Sequence, residues 1–183
     1  MDEKQTVKLS KFLARVLRHD PASIGIALDE AGWVDVDKLI AASRRSGRRF
    51  SGADLDHVVA ANDKKRFAFS EDGRRIRASQ GHSVEVDLGL LPVEPPAVLF
   101  HGTASTTLPI VLREGLKPMS RRDVHLSADV ETAVRVGTRH GRPVVLAVDA
   151  AALAATGHVF RVSANGVWLT NAVPPTHLRP YDR

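Results

Sequence analysis

The feature that most narrows what this chain can fold into is a stretch stiffened by Pro92, Pro95 and Pro96, across which the hydrophobic pattern changes. Before it, apolar residues recur at helical spacing; after it, they come in short runs of strand length. Such a break favours two lobes over one continuous core. The boundaries read as residues 1–84, a linker at 85–96, and residues 97–183.

In the first lobe, Leu9, Phe12, Leu13, Val16 and Leu17 form one buried helical face, and Lys4, Lys8, Lys11, Arg15 and Arg18 form a basic stripe on another. Pro21 disfavours helical geometry at Asp20, so this helix should end near His19. Residues 24–28 read as an irregular apolar tether, followed by a short strand at Trp33-Val34. A second helix is expected over 36–45, capped by Asp35 or Asp37 and ended by Gly47. Ser51 should cap a third, with Leu55, Val58 and Val59 inward, ending before Asn62-Asp63. Residues 66–70 and 74–78 flank a Glu71-Asp72-Gly73 turn and read as a β-hairpin. Three helices followed by a hairpin is the element order of a winged helix.

Val84-Glu85-Val86-Asp87-Leu88 then alternates briefly. In the second lobe a strand at 97–100 should run into His101-Gly102-Thr103. Helices are expected at 108–113, stopping at Gly115, and at 128–138. Strands are expected at 124–127, 143–149, 159–162 and 167–170, the third-from-last run being the most apolar. Many short strands with few helices indicate a β-rich lobe, and the whole an α+β fold.

Hydrophobic residues at 43% and charged residues at 26% suit a globular protein. There is no cysteine, which excludes disulfides and thiolate chemistry, and no metal site is expected. No apolar leader and no long apolar run occur, so a cytoplasmic protein is expected. The net charge of +5 favours a polyanionic partner. Residues 1–96 carry 16 Lys and Arg against 15 Asp and Glu, yet their cations are clustered, at Arg44-Arg45, Arg48-Arg49, Lys64-Lys65-Arg66 and Arg74-Arg75-Arg77. Clusters matter more than the sum for a phosphate backbone.

There is no Walker loop, zinc-binding helix, nucleophile elbow or dinucleotide fingerprint. What recurs is Arg and His beside small residues at strand and helix ends. Arg18-His19 joins an anion-gripping fork to a proton-transfer group. Gly102, after a strand, would let a ligand approach the backbone closely. His125 and Ser127 share a strand face by the period of two.

Taken in order, Leu17-Arg18-His19-Asp20-Pro21, Trp33, Asp63-Lys64-Lys65-Arg66-Phe67, Gln80-Gly81-His82-Ser83, Leu99-Phe100-His101-Gly102-Thr103, His125-Leu126-Ser127 and Val136-Gly137-Thr138-Arg139-His140-Gly141 closely resemble the NAD-dependent RNA 2′-phosphotransferase family. The resemblance implies an N-terminal winged-helix lobe that binds RNA and a C-terminal lobe of the ADP-ribosyltransferase type that binds NAD, with the active site between them. It implies a catalytic tetrad of Arg18, His19, Arg66 and Arg139, and an NAD pocket of His101, Gly102 and Thr103 with His125 and Ser127 nearby. Lys64 and Lys65 receive no individual role.

The implied reaction has two steps. An internal RNA 2′-phosphate attacks the nicotinamide-bearing ribose carbon of NAD; the 2″-hydroxyl of the resulting ADP-ribose then attacks that phosphorus. The products are RNA with a 2′-hydroxyl, ADP-ribose 1″,2″-cyclic phosphate and nicotinamide. Toxin-like relatives carry a catalytic glutamate on the counterpart of 167–170, where this chain has no carboxylate. The alternative acceptor is a terminal phosphate of RNA or DNA, capped by ADP-ribosylation. The expected partners are NAD and RNA with an internal 2′-phosphate, tRNA included, acted on by a monomer without metal.

Overall fold

The computed structural model of the chain describes residues 1–62 and 64–181, so Asp63, expected just past the third helix, lies outside the described residues. The chain divides into two units, Met1–Gly89 and Leu90–Arg183. Both mix helices with small antiparallel sheets.

In the first unit α1 spans Glu3–Arg18. It starts at a reciprocal cap: the Asp2 carboxylate accepts from Gln5 N at 2.7 Å, and Gln5 Oε1 accepts from Asp2 N at 3.1 Å. It stops where the sequence requires, with His19 as the last half-helical residue before Pro21. A 3₁₀ turn, Pro21–Ile24, closed by Gly25 at φ 72°, leads into the apolar tether of residues 24–28. Next come β1 (Val34–Asp35) and α2 (Val36–Arg45), where Asp35 accepts from Lys38 N at 3.0 Å and so is the cap. The third helix, α3 (Gly52–Ala60), opens on a Ser51–Asp54 capping box. The hairpin is β2 (Phe67–Phe69) and β3 (Arg75–Ala78), with β3 central and β1 and β2 on its edges.

Leu13, Val16 and Leu17 of α1 meet Leu39, Leu55, Val58, Phe67 and Ile76 in one apolar core. Each such buried side chain contributes about 1.5–3 kcal/mol. The brief alternation at 84–88 makes no strand, because its backbone ties to a loop instead: Asp87 N donates to Glu30 O at 2.6 Å.

The second unit opens with β4 (Val98–Ala104). The expected strand is therefore longer than four residues and contains His101, Gly102 and Thr103 within it. The cause is pairing over its full length with β6 (Pro143–Asp149), from Val98↔Asp149 to Ala104↔Pro143. Between them lie α4 (Leu108–Glu114), β5 (Val124–Leu126) and α5 (Val130–Gly137), followed by a 3₁₀ turn, Thr138–His140. A short helix, α6 (Ala150–Ala155), was not anticipated; Asp149 caps it. Then come β7 (Arg161–Val162), β8 (Trp168–Thr170) and β9 (Leu178–Pro180), the last also unanticipated. The two sheets run β4-β6-β9 and β5-β8-β7, and paired Phe100 and Ser127 backbones join them.

Leu99, Leu126, Leu146, Val148, Leu153 and Phe160 form the core of this unit. No helix among the described residues is long and apolar enough to cross a membrane.

Candidate active site

In the first unit, α1 carries Arg18 and His19 at its C-terminal end, and the loop entering β2 carries Arg66. One short segment anchors both places. Ser79, just past β3, donates its N–H to Arg66 O at 2.8 Å and its hydroxyl to Lys65 O at 2.7 Å. Ser83 donates its N–H to Arg18 O at 2.8 Å, and Val84 N adds a second donor at 3.3 Å. Four residues of chain reach at most about 14 Å, so one short segment ties the Arg18 and Arg66 backbones to the same region of this unit.

The side chains have their own supports. His19 Nδ1 lies 3.0 Å from Ser83 Oγ. Arg66 Nη1 donates to Asn62 Oδ1 at 3.2 Å, an oxygen that also accepts from Lys64 N at 3.2 Å. Asn62 is only 9% exposed, so its amide is a fixed post. Beside His19, Asp20 pairs with Arg15 at 2.9 Å, and that guanidinium holds the carboxyl below the usual range. Sequence reading missed Asn62 and Ser79 as supports. Their only mark is a polar residue in a loop, which most loops share.

In the second unit, Phe100 and Ser127 exchange backbone hydrogen bonds at 2.8 and 2.7 Å, which brings β5 alongside β4. His101 Nδ1 consequently lies 3.0 Å from His125 O. A carbonyl only accepts, so Nδ1 carries the hydrogen and Nε2 is the acceptor of the neutral ring. His125 Nδ1 in turn lies 3.0 Å from Arg121 Nη1. A guanidinium only donates, so the neutral His125 ring bears its hydrogen on Nε2. Val124 and Leu126 point into the core while His125 and Ser127 are half-buried, the alternation a strand requires.

Gly102 is a glycine for a different reason from the expected one. A Cβ there would strike the backbone carbonyl of Ala133 and come within 2.9 Å of Gly137 N. Its vacant side is filled by α5 and is not open to a ligand. Gly137 answers from the helix, where a Cβ would meet Thr103 O at 2.8 Å. Thr103 is accordingly 8% exposed. Arg139 follows on the 3₁₀ turn with an exposed side chain.

The donor set in this unit, an imidazole N–H, a guanidinium and the Ser127 hydroxyl, matches a ligand rich in ribose hydroxyls and phosphate oxygens. Arg121 was not singled out from the sequence, because it lies in an irregular loop before β5. Among the described residues no group of His, Asp and Glu is arranged to hold a metal ion.

Comparison with known proteins gives a consistent result. The sequence profile of the family described as "RNA 2'-phosphotransferase, Tpt1 / KptA family" matches residues 4–172. A protein of Streptomyces griseus named "Probable RNA 2'-phosphotransferase" is 58% identical over 97% of this chain and 98% of its own length. Proteins of the same name from Agrobacterium fabrum and Hahella chejuensis are 60% and 55% identical, covering 92% and 100% of this chain and 91% and 97% of their own.

Proposed function

This chain belongs to the RNA 2′-phosphotransferase, Tpt1 / KptA family, and from that premise we propose that it transfers an internal RNA 2′-phosphate to NAD. The reaction would pass through an RNA-2′-phospho-ADP-ribose intermediate to RNA with a 2′-hydroxyl, ADP-ribose 1″,2″-cyclic phosphate and nicotinamide. The observation that carries this reading is the common anchoring of Arg18, His19 and Arg66 by residues 79–84.

In this reading residues 1–84 form a winged-helix lobe for RNA, supported by three helices and an antiparallel hairpin, and residues 97–183 form the ADP-ribosyltransferase-like lobe for NAD, with 85–96 linking them. Arg18 and Arg66 grip the phosphate as bidentate donors. NAD supplies a ribose carbon bearing a good leaving group. The attacking phosphate is already anionic, so positioning, rather than a carboxylate base, is what the protein contributes to the first step. The second step builds charge on phosphoryl oxygens, which fixed guanidinium groups stabilise. His19, oriented by Ser83, moves the proton at the RNA 2′-oxygen or the attacking hydroxyl.

His101, Gly102, Thr103, His125 and Ser127 are assigned to NAD, with Gly102 acting through its backbone and through the close packing it permits. Arg139 is assigned to the phosphate by its matching block. Arg121, by its contact with His125, joins the second unit's ligand-binding cations.

The decisive experiment is product analysis on a short RNA with one internal 2′-phosphate, with and without NAD. Dephosphorylated RNA and nicotinamide in equal amounts, only when NAD is present, are expected. Release of inorganic phosphate without NAD consumption overturns the reading. Activity confined to terminal phosphates shifts the acceptor and leaves the NAD chemistry standing.

A further inference from the structure

We propose that the outward face of α1, with Arg48 beside it, is a docking strip for the sugar–phosphate backbone of RNA flanking the reacting phosphate. The proposal rests on the RNA substrate proposed above and adds a binding surface to it.

At 100° per residue, Lys4, Lys8, Lys11, Arg15 and Arg18 fall within about 80° of the helix circumference, and they span about 21 Å of its length. The strip therefore leads straight to Arg18. Lys4, Lys8, Lys11 and Arg15 are exposed, while Arg18 is half-buried where the strip meets the candidate site. Like charges three and four residues apart on a helix destabilise it. This helix carries such pairs at Lys4 and Lys8, Lys8 and Lys11, and Lys11 and Arg15. A stripe kept at that cost fits a polyanionic ligand.

Of the three grooves that flank the strip, the one at Lys8, Arg48 and Arg49 includes Asp54, and among the described residues the other two carry no carboxylate. Of those two, one is bordered by Lys8, Lys11, Arg15 and Arg48 with Phe12 and Ser46. The other is bordered by Lys11, Lys64 and Arg66 with Ser10 and Asn62. Lys11 belongs to both, so the positive surface is continuous from Arg48 to Arg66. Among the described residues no carboxylate pairs with Lys8, Lys11 or Arg48, whereas Arg15 is paired with Asp20.

Arg48 is not a loose surface cation. Its guanidinium stacks 4.8 Å from the Phe12 ring centroid, and Phe50 packs edge-on against Phe12 at 6.2 Å. Its backbone N–H is tied to Ser43 O at 2.8 Å. Stacking covers one face of the guanidinium and leaves its in-plane donors for a phosphate.

The test compares two RNAs bearing the same internal 2′-phosphate, a dinucleotide and a strand of about a dozen nucleotides. In Lys8→Gln/Lys11→Gln and in Arg48→Gln, KM for the longer RNA should rise about tenfold at low salt, with kcat unchanged. KM for the dinucleotide should change less than about twofold, since it has no flanking backbone to lose. The log–log salt slope should become shallower by about one for each cation removed. Lys8→Arg/Lys11→Arg should restore it. Anisotropy titration of unmodified RNA should show the same losses without turnover. Wild-type protein that binds RNA but transfers no phosphate sinks the proposed function and leaves the strip standing. Equal losses on both RNAs, or no loss on the longer one, overturn the strip.

Discussion

Arg121 Nη1 lies 3.0 Å from His125 Nδ1, and this contact decides which nitrogen of the neutral imidazole carries the hydrogen. With Nδ1 accepting, the neutral ring presents an Nε2–H. ¹⁵N NMR of the His125 ring should show the Nε2–H tautomer in the wild type. In Arg121→Ala the Nδ1–H form should become populated, and KM for NAD should rise about tenfold, one charge-assisted contact being lost. Arg139→Ala should leave the tautomer unchanged. A His125 ring already of mixed tautomers in the wild type counts against the assignment.

The two steps of the proposed reaction should separate by mutation. If His19 and Arg139 serve mainly the second step, His19→Ala and Arg139→Ala should accumulate the RNA-2′-phospho-ADP-ribose adduct. Arg18→Ala and Arg66→Ala should slow both steps by about a hundredfold or more, and Arg18→Lys should recover little, lacking the fork. His101→Ala should weaken NAD use and leave RNA binding intact. A time course separating substrate, adduct and product reads all of these. Loss of adduct in both His19→Ala and Arg139→Ala would refute this division of labour.

Gly102→Ala should destabilise the second unit by on the order of 3 kcal/mol, because its methyl would enter the Ala133 carbonyl of α5. Denaturant unfolding measures this directly. Were Gly102→Ala fully stable and defective only in NAD binding, the glycine would be serving the ligand and not the helix.

Asp123, just before β5, has its carboxyl raised above the usual range by burial, with Arg161 and Arg122 opposing the shift. Between the unfolded and folded pKa values the native state binds more protons, so stability falls as pH rises through that window. Asp123→Asn should therefore raise Tm at pH 7, and the gain should vanish once the pH drops below about 4, where the unfolded carboxyl also protonates. Thermal unfolding across pH 3–8 distinguishes this from a gain that is constant with pH.

Much of the fold was legible because its causes are local. Pro21 ends α1, Asp35 and Ser51 cap α2 and α3, and the apolar run of β6 declares itself within seven residues. Caps, breakers and periodicity act through neighbours in the chain, and Arg18, His19 and His101 stood out by residue type in ordered blocks. Tertiary structure alone decided the rest. β9 becomes a strand because β6 offers it an open edge, with Leu178 opposite Val148. Gly102 serves α5, a helix that begins 28 positions later. Arg121 and Asn62 acquire their places from hydrogen-bond partners whose position depends on the packing of strands and loops around them. A pattern read along one dimension registers what a residue requires of its neighbours. Which distant acceptor or helix face it meets is set by the core that buries both, and that is a property of the folded chain.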